Sequence, residues 1–450
     1  MDMTGNKTCV LGAGRSGIAA AQVMRGLGAD VTLWDGKKPE TLSEELIALS
    51  KEGVHLELGD AASDFLAKMK LVVTSPGIAQ EHPLLQQAVL LGIPVWSEVE
   101  LAYRLCRAPM VAITGTNGKT TTTTLLGELA KTTFAKVAVG GNIGDPLSLQ
   151  VTPLTENDLA VAEISSFQLE WVDKFAPHVA AILNITPDHM DRHKTLEGYT
   201  AMKERIFLGQ SQDDYVLLNH DDSGVRALAP HCKGRVVYFS RLTTLDEGVF
   251  VAKGQVCIRW QGQQHAVFNL SELQIKGDHN VENVLAACGT AFFAGIAPDK
   301  MAAVLANFRG VEHRIEWVRA VDGVDYYNDS KATNPESTIK AIEAFEEKLL
   351  LIAGGYDKHT DLTPMMKLLA QRNALLILIG AAADRFADAA AQNGVVTIRR
   401  AVDMAAAVAL AKESAEKGQV VLLSPACASY DMYSGYEERG RHYKSLVEAL

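Results

Sequence analysis

The sequence predicts an α/β protein of three domains, each built on a mainly parallel β-sheet. Its 450 residues match the length of about three ordinary domains. Short apolar runs typical of buried parallel strands alternate with helical stretches along the chain. Two of these runs lead straight into glycine-rich turns, GAGRSG at 12–17 and GTNGKT at 115–120. We therefore expect domains at residues 1–108, 109–308 and 309–450.

The predicted elements follow the apolar runs in chain order. In the first domain we expect strands at 8–11, 31–34, 71–73 and 93–95. The second domain is predicted to contain strands at 110–113, 159–163 and 180–183, an antiparallel edge within 236–268 and a helix at 280–295. The third is predicted to contain strands at 349–352, 375–379, 395–398 and 420–423. This alternation favours doubly wound sheets, whose ligands bind where the strands end.

Composition and charge exclude several classes of protein. The net charge is −11, from 43 basic and 54 acidic residues, whereas a general nucleic-acid binder needs a basic face. The six cysteines form no CxxC pair, which argues against a disulfide scaffold or a zinc knuckle. The sequence begins without the pattern of a signal peptide, and no run approaches the roughly 18 apolar residues of a membrane helix. We expect a soluble, cytoplasmic protein, monomeric by default, with no nucleic-acid partner and no membrane insertion.

The first glycine-rich turn, GAGRSG, fits the GxGxxG pattern after a strand, and Asp35 ends the next predicted strand. Such a turn aims backbone amides and a helix N-terminus at a phosphate. The pattern alone leaves three interpretations open: a dehydrogenase cofactor, another nucleotide, or a tight turn with no ligand.

The second turn, GTNGKT, is a sharper phosphate-binding signal. Its backbone amides can surround phosphates, Lys119 can neutralise them, and the Thr120 hydroxyl can reach Mg²⁺. The spacing departs from the strict P-loop because Ile113 occupies the place of the first glycine. The alternative is a threonine-rich helix start that acts only as a cap.

Polar residues follow two further predicted strands. Glu163 ends one strand, and His189 lies in the segment after the next. Because the carboxyl ends of parallel strands line the ligand crevice of an open sheet, these side chains could hold Mg²⁺ beside nucleotide phosphates. Tyr199 and Lys203 are four residues apart and share a helix face. A core or surface histidine and a solvated lysine are the alternatives.

The third domain has its own dense polar connection, DSKATNP at 329–335. An acid, a base and small polar residues in one loop are typical of a functional site, and helix capping by Asp329 or Ser330 is the alternative. GGYDK at 354–358 and SPACAS at 424–429 also follow predicted strands. Cys427 has no histidine partner at a recognisable spacing, so we interpret it as a packing residue.

Together these motifs resemble those of the Mur ligases, the ATP-dependent amide-forming enzymes of peptidoglycan precursor synthesis. GTNGKT, the strand end at Glu163, DHMDRH, YTAMK, GDHNVEN and EHR occur in that family's order. The segment 328–335 and the SPACAS stretch, with YEERG at 436–440, are similar to the branch that adds D-glutamate. The resemblance spans essentially the whole chain.

The resemblance implies a reaction and an architecture. The reaction is ATP-dependent addition of D-glutamate to UDP-N-acetylmuramoyl-L-alanine through an acyl phosphate, with ATP and two Mg²⁺ ions expected. The architecture is an N-terminal Rossmann-like UDP-binding domain, a central P-loop-type ATPase domain and a C-terminal Rossmann-like amino-acid-binding domain. The alternatives are another Mur ligase or a folylpolyglutamate synthase, an oxidoreductase built on GAGRSG, and a P-loop protein that binds ATP without ligation.

The resemblance also implies residue roles. It assigns catalysis to Lys119, His189 and Lys203, with Lys203 carbamylated. The implied Mg²⁺ ligands are Thr120, Glu163, His189 and Lys203. The implied ATP contacts are Gly115, Thr116, Asn117, Gly118, Lys119, Thr120, Thr121, Asn280, Asn283, Arg314 and Asp329. The implied contacts to the UDP substrate are Gly14, Arg15, Ser16, Asp35, Ser75, Pro76, Gly77, Asn142, Ser165 and Gln168, and those to D-glutamate are Lys331, Thr333, Lys358, Ser429 and the Tyr436 backbone.

Overall fold

The structure is a computed structural model that describes residues 1–37, 43–60, 65–275, 277–357 and 360–450. The described chain divides into two compact units, Met1–Leu273 with Asp278–Ala306 and Gln274–Gly277 with Asn307–Leu450. It contains three sheets, two in the first unit and one in the second. The predicted α/β fold class is confirmed. Within the described ranges, none of the helices is both long enough and apolar enough to cross a membrane.

The N-terminal sheet has the strand order β3-β2-β1-β4-β5, and every neighbouring pair is parallel. Its strands are β1 (Lys7–Leu11), β2 (Asp30–Asp35), β3 (His55–Leu58), β4 (Leu71–Thr74) and β5 (Val95–Ser97). Its helices are α1 (Arg15–Gly26), α2 (Glu44–Lys51), α3 (Pro83–Leu90) and α4 (Glu98–Leu105). Apolar side chains pack on both faces of the sheet, as expected for parallel strands covered by helices.

The central sheet has the order β14-β13-β12-β11-β10-β9-β6-β8-β7, parallel from β12 to β7 and antiparallel at β12–β14. Its strands are β6 (Met110–Thr114), β7 (Val137–Gly141), β8 (Leu159–Glu163), β9 (Val179–Ile182), β10 (Tyr215–Asn219), β11 (Arg235–Ser240), β12 (Gly248–Ala252), β13 (Gln255–Trp260) and β14 (Gln263–Asn269). Its helices are α5 (Lys119–Ala130), α6 (Leu147–Val151), α7 (Ser166–Leu169), α8 (Met190–His193), α9 (Leu196–Glu204), α10 (Ser223–Arg226), α11 (Asp278–Phe293) and α12 (Met301–Asn307).

The C-terminal sheet has the order β15-β16-β20-β17-β18-β19, in which β15 and β16 are antiparallel and the other pairs are parallel. Its strands are β15 (Glu316–Val321), β16 (Val324–Asn328), β17 (Leu349–Gly354), β18 (Leu375–Ile379), β19 (Thr397–Arg400) and β20 (Val420–Leu423). Its helices are α13 (Pro335–Glu343), α14 (Thr363–Gln371), α15 (Ala383–Gln392), α16 (Met404–Ser414) and α17 (Tyr436–Glu448). Core side chains lie on both faces.

Three predicted elements differ from the structure. The strand expected at 93–95 is β5, Val95–Ser97, and the other two are the antiparallel edge and the last strand of the C-terminal sheet. Within 236–268 only β12–β14 are antiparallel, whereas β11 runs parallel to β10. A buried apolar run is compatible with either direction, and here the crossover through α10 decides it. The last edge strand, β19, begins at Thr397 rather than at residue 395, because its pairing with β18 starts at Thr397. Val396, just before it, is 91% exposed.

A buried carboxylate joins the N-terminal and central sheets within the first unit. Glu100 of α4 is fully buried and accepts hydrogen bonds from the backbone N–H groups of Asp173, Lys174 and Phe175, at 2.9, 2.9 and 3.0 Å. The Arg104 guanidinium donates to the same carboxylate at 2.6 Å. Buried charge is stable when paired and hydrogen-bonded in this way, so the contact fixes α4 against the central domain.

Candidate active site

The second glycine-rich turn connects β6 to α5 in the middle of the central sheet. Gly115 and Gly118 have φ values of +155° and +83°, a region that side chains other than glycine rarely adopt. A Cβ on Gly118 would lie 2.1 Å from Oδ1 of Asn283. Glycine at 118 therefore allows α11 to approach the start of α5, which brings Asn283 to the phosphate loop.

The loop is held in shape by the segment that follows β9. Thr116 Oγ1 donates to the Thr186 carbonyl at 3.1 Å, and the Asn117 backbone N–H donates to Asn184 Oδ1 at 2.8 Å. Lys119 Nζ donates to the carbonyls of Gly115 and Thr116 at 2.9 and 2.8 Å. The lysine thus lies over its own loop, where it can turn toward an anion.

The two asparagines predicted to contact ATP lie against this loop. Asn283 Nδ2 donates to Asn280 Oδ1 at 3.0 Å, and Thr122 Oγ1 donates to Asn283 Oδ1 at 3.3 Å. Both asparagines are buried. The structure therefore brings together residues more than 150 positions apart in the sequence.

Glu163 ends β8 beside the phosphate loop's strand. Its side chain is 1% exposed, and Oε1 accepts a hydrogen bond from Asn142 Nδ2 at 2.8 Å. Among the described residues, none hydrogen-bonds the other carboxylate oxygen, Oε2, which is buried. A buried carboxylate with one uncompensated oxygen is costly unless a cation meets it. Glu163 thus fits a Mg²⁺ ion, which prefers oxygen ligands.

Lys203 is buried in the same region, with 1% of its surface exposed. Its Nζ donates to the Gly115 carbonyl at 2.8 Å and lies 4.4 Å from the centre of the Tyr199 ring. Burial lowers the pKa of Lys203 well below its usual value, and the positive charge of Lys119 lowers it further. A lysine in this environment carries a larger fraction of neutral, nucleophilic amine than a surface lysine does.

His189 occupies a strained position at the start of α8. Its φ is +54°, and its ring packs on Phe167 with centroids 4.8 Å apart. Nε2 lies 3.4 Å from the Asp188 carboxylate, and the side chain is 47% exposed. A left-handed residue of this size is uncommon and clusters at functional sites. The ring is therefore accessible at the edge of the sheet that carries the phosphate loop.

The first glycine-rich turn packs tightly on its neighbours. The Asp35 carboxylate accepts the Ala13 backbone N–H at 2.6 Å, and Ser75 Oγ donates to the Gly12 carbonyl at 3.1 Å. A Cβ on Gly17 would lie 1.8 Å from that carbonyl. Asp35 and Ser75 therefore shape this turn, and Pro76 and Gly77 follow Ser75 directly.

Three other residues that are predicted to contact the UDP substrate form hydrogen bonds within the protein. Arg15 donates to the Gly144 carbonyl at 2.9 Å, which links the first turn to the loop after β7. Ser165 and Gln168 form a reciprocal capping box at the start of α7. Their side chains stabilise that helix, and their predicted substrate contacts stay a prediction.

Arg192 had no predicted role, yet its guanidinium contacts both the loop after Ser75 and Phe167, on which the His189 ring packs. Its guanidinium donates to the Ile78 carbonyl at 2.8 Å and to the buried Glu170 carboxylate at 2.8 and 2.5 Å. It also stacks 4.6 Å from the centre of the Phe167 ring. Arg192 therefore connects the loop after Ser75 to α8, the helix that His189 precedes. The only signal for this role in the sequence is Glu170, which precedes Arg192 by 22 residues. That spacing matches no helix or strand period.

Most of the residues that are predicted to contact D-glutamate lie in two loops and at one helix start of the second unit. Ser330 Oγ donates to the Tyr436 carbonyl at 2.8 Å, and Lys331 Nζ lies 5.7 Å from the centre of the Tyr436 ring. Thr333 is half-buried two residues further on, and Ser429 is buried in the loop after β20. Lys358 lies outside the described residues.

Asp329 is buried behind these residues, at the end of β16. Its carboxylate accepts hydrogen bonds from Ser424 Oγ at 2.7 Å and from the Ile315 backbone N–H at 3.2 Å. The neighbouring Arg314 lowers the pKa of this carboxyl, but burial dominates and raises it to about 7. Asp329 therefore connects the loop after β16 to the loop after β20, and its predicted ATP contact stays a prediction.

Three Mur ligase domain families match the chain in succession. They are the MurD-like N-terminal domain at residues 6–97, the middle domain at 113–291 and the glutamate ligase domain at 313–427. The chain belongs to the Mur ligase family. Mur ligases depend on ATP, whose phosphates are the kind of ligand that a glycine-rich loop at a helix start can bind.

Relatives with assigned names match the Mur ligase from end to end. The UDP-N-acetylmuramoylalanine--D-glutamate ligase of Thermoanaerobacter pseudethanolicus is 45% identical over 452 residues and covers 100% of both chains. The enzyme of the same name from Desulfitobacterium hafniense is 45% identical over 447 residues, covering 99% of this chain and 98% of its own. The resemblance drawn from the motifs is confirmed.

Solved structures show the same three-domain fold. UDP-N-acetylmuramate-alanine ligase MurC from Thermotoga maritima has a TM-score of 0.58 and 20% identity, covering 99% of each chain. The MurF ligase from the same organism, solved in complex with ADP, has a TM-score of 0.58 and 17% identity, covering 99% of this chain and 96% of its own. The expected N-terminal, central and C-terminal α/β architecture is therefore confirmed.

The buried Asp329 should make the stability of this Mur ligase depend on pH. Because its pKa is raised from 3.8 to about 7 on folding, its stabilising contribution is full below about pH 4 and is lost as the pH rises through 7. The loss is at most about 4 kcal/mol, since one pKa unit is worth 1.36 kcal/mol. Asp329→Asn cannot titrate, so the variant should gain stability relative to the wild type as the pH rises.

Chemical denaturation between about pH 5 and pH 8.5 measures this difference. The control is Asp384→Asn, which removes an exposed carboxylate of the same unit. An Asp329→Asn variant whose stability runs parallel to that of the wild type across this range would contradict the assignment.

Proposed function

We propose that this Mur ligase joins the amine of D-glutamate to the L-alanyl carboxyl of UDP-N-acetylmuramoyl-L-alanine and consumes ATP. The observation that carries the proposal is the 45% identity over the full length to relatives named for that ligation. The phosphate loop of the first unit and the polar site of the second unit are consistent with a nucleotide substrate and an amino-acid substrate. The product is an amide of a peptidoglycan precursor.

The chemistry follows from the poor leaving ability of a carboxylate oxygen. A carboxylate oxygen of the acceptor attacks the γ-phosphorus of ATP, ADP leaves, and an acyl phosphate forms. The amine of D-glutamate then attacks the acyl carbon, loses a proton, and displaces inorganic phosphate. Both reactants of the first step are anions, and Lys119 offsets their repulsion at the phosphate loop.

We assign Mg²⁺ to Thr120, Glu163, His189 and the modified Lys203, with two ions in the site. When bound, Mg²⁺ polarises the phosphate oxygens and stabilises the charge that develops during transfer. Glu163 contributes its buried, uncompensated Oε2, and Asn142 orients the carboxylate through Oε1. Thr120 is the first-turn residue of α5 next to Lys119.

Lys203 is carbamylated in the active enzyme. Its neutral amine attacks the carbon of CO₂, an N–C bond forms, and one proton leaves, so that the neutral amine becomes a carboxylate-like anion. Two observations support this assignment. The hydrogen bond to the Gly115 carbonyl puts the Lys203 amine beside the phosphate loop, and its lowered pKa makes the amine more reactive.

The remaining predicted residues divide among three ligands. The UDP substrate contacts Gly14, Arg15, Ser16, Asp35, Ser75, Pro76, Gly77, Asn142, Ser165 and Gln168. ATP contacts the loop 115–121 with Asn280, Asn283, Arg314 and Asp329. D-Glutamate contacts Lys331, Thr333, Lys358, Ser429 and the Tyr436 backbone, a set whose lysines suit its two carboxylates.

The domain boundaries and the setting belong to the same proposal. We place the boundaries after residues 108 and 308, near the ends of α4 and α12. The enzyme acts in the cytoplasm as a monomer on small-molecule substrates.

A substrate panel tests the proposed function. D-glutamate, L-alanine, diaminopimelate and D-Ala-D-Ala are each offered with the matching UDP acceptor, and phosphate release is measured. Release only with D-glutamate and UDP-N-acetylmuramoyl-L-alanine is the expected result. Turnover with another pair would assign the chain to a different Mur ligase, and binding of NAD(P) tighter than that of the UDP substrate would favour the oxidoreductase.

A further inference from the structure

One arginine of the second unit is buried without contributing to any site described above. Arg439 of α17 is 0% exposed, and its guanidinium makes four hydrogen bonds. Nε donates to Ser330 Oγ at 2.9 Å and Nη2 to the Ser330 carbonyl at 2.8 Å. Nη1 donates to the carbonyls of Cys427 and Ala428 at 3.1 and 3.2 Å. All four acceptors are neutral groups.

These acceptors belong to the loops that carry the proposed D-glutamate contacts. Ser330 directly precedes Lys331, and Ala428 directly precedes Ser429. The Ser330 hydroxyl that accepts from Arg439 also donates to the Tyr436 carbonyl at 2.8 Å. One guanidinium therefore connects the loop after β16, the loop after β20 and the start of α17.

A guanidinium suits this position better than any other side chain. Its five N–H donors form a rigid planar fork, so bonds to two loops fix both the distance and the angle between them. Burying a positive charge without a hydrogen-bonded carboxylate costs free energy. Burial lowers the pKa of Arg439 to about 10, although the nearby Asp431 and Asp329 oppose this shift. Arg439 therefore keeps its positive charge at neutral pH, although burying this charge costs free energy. An apolar side chain that only filled the space between the loops would avoid that cost.

The loops also pack closely around the guanidinium. A Cβ on Gly355 would lie 2.4 Å from the Ala428 carbonyl and 3.2 Å from Arg439 Nη1. Ala426, just before these carbonyls, has a φ of +55°, which costs free energy for a residue other than glycine. The carbonyls of Cys427 and Ala428 are therefore held in a specific orientation toward Arg439.

We propose that Arg439 is a positioning residue for the dicarboxylic amino-acid substrate, because its guanidinium sets the spacing of Lys331, Ser429 and Tyr436. This inference rests on the proposed D-glutamate site. Arg439 acts through the two loops and through Ser330, and its own atoms do not contact the substrate. Loss of the guanidinium should therefore weaken the use of D-glutamate and leave the other two substrates unaffected.

Steady-state kinetics of purified full-length variants test the proposal. Arg439→Met keeps the side-chain length and removes the fork, and Arg439→Lys keeps the charge with a single donor nitrogen. For both, the KM for D-glutamate should rise about tenfold or more, while the KM values for ATP and the UDP acceptor stay within about twofold. The control is Arg400→Met, which removes an exposed ion pair with Asp384 in the same unit and should leave all three values unchanged.

A second variant keeps the test decisive if Arg439→Met does not fold. Ser330→Ala removes one hydroxyl that bridges Arg439 and Tyr436 and barely changes the buried volume. It should raise the KM for D-glutamate in the same selective way. A D-glutamate KM within about twofold of wild type in Ser330→Ala and Arg439→Lys, or a parallel rise for all three substrates, would overturn the proposal. A wild-type enzyme that does not use D-glutamate would instead overturn the proposed function.

Discussion

Replacing Lys119 with alanine is expected to lower the rate of ligation by about 100- to 1,000-fold, the usual effect of removing one preorganised donor from a charged transition state. Lys119 Nζ rests on the carbonyls of Gly115 and Thr116, within the loop proposed to bind the phosphates of ATP. Without it, the acceptor carboxylate approaches the γ-phosphate with less of its repulsion offset. ADP release at saturating substrates measures the loss.

The control for this variant is Lys131→Ala at the other end of the same helix. Lys131 is exposed and pairs with Glu128, also exposed, so its removal should leave the rate unchanged. Because Lys119 is only partly buried, its removal should leave the protein folded, and a thermal unfolding curve of the Lys119→Ala variant checks this. Ligation at the wild-type rate by folded Lys119→Ala would remove the assignment of the loop to ATP.

Lys203→Ala is expected to reduce ligation comparably, because it removes the anion that the proposed carbamylation would create at the proposed metal site. A short-chain carboxylic acid should restore part of the activity, since it can supply a carboxylate to the vacated space beside Gly115 and Tyr199. Wild-type activity should fall when dissolved CO₂ is removed and should recover with bicarbonate. Acidification should also weaken the modification, because protonation of Lys203 removes the nucleophilic amine.

Intact mass measurement of active wild-type enzyme under CO₂ tests the modification itself. The mass should exceed that of the unmodified chain by one CO₂, and Lys203→Ala should lack the increment. The matched control is Lys233→Ala, which removes an exposed lysine of the same domain. Full activity with an unmodified Lys203 under ample CO₂ would contradict the carbamylation.

Local sequence patterns predicted the parts of the fold that depend on neighbouring residues. GTNGKT follows β6 and opens α5 as its glycines indicated, because left-handed backbone at Gly118 and a helix start are encoded within six residues. Glu163 was expected at a strand end and lies at the end of β8. The alanine-rich stretch at 280–295 was likewise predicted to be helical, and the helix is observed at Asp278–Phe293.

Contacts between distant segments could not be predicted in this way. Arg439 bonds to a serine 109 residues away, and Arg192 bonds to a carbonyl 114 residues away. Neither spacing has a local period, and a buried arginine in a helix has the same sequence pattern as an exposed one. Ser165 and Gln168 are a different case. They form a capping box, and because this motif is local it could have been recognised from the sequence.

The fate of the acceptor's carboxylate oxygens tests the central claim most directly. UDP-N-acetylmuramoyl-L-alanine is labelled with oxygen-18 in both oxygens of its L-alanyl carboxylate and is turned over with ATP, Mg²⁺ and D-glutamate. Activation as an acyl phosphate predicts that one labelled oxygen leaves in inorganic phosphate and the other stays in the new amide. Amide formation with unlabelled phosphate, or with the label in AMP, would contradict the account.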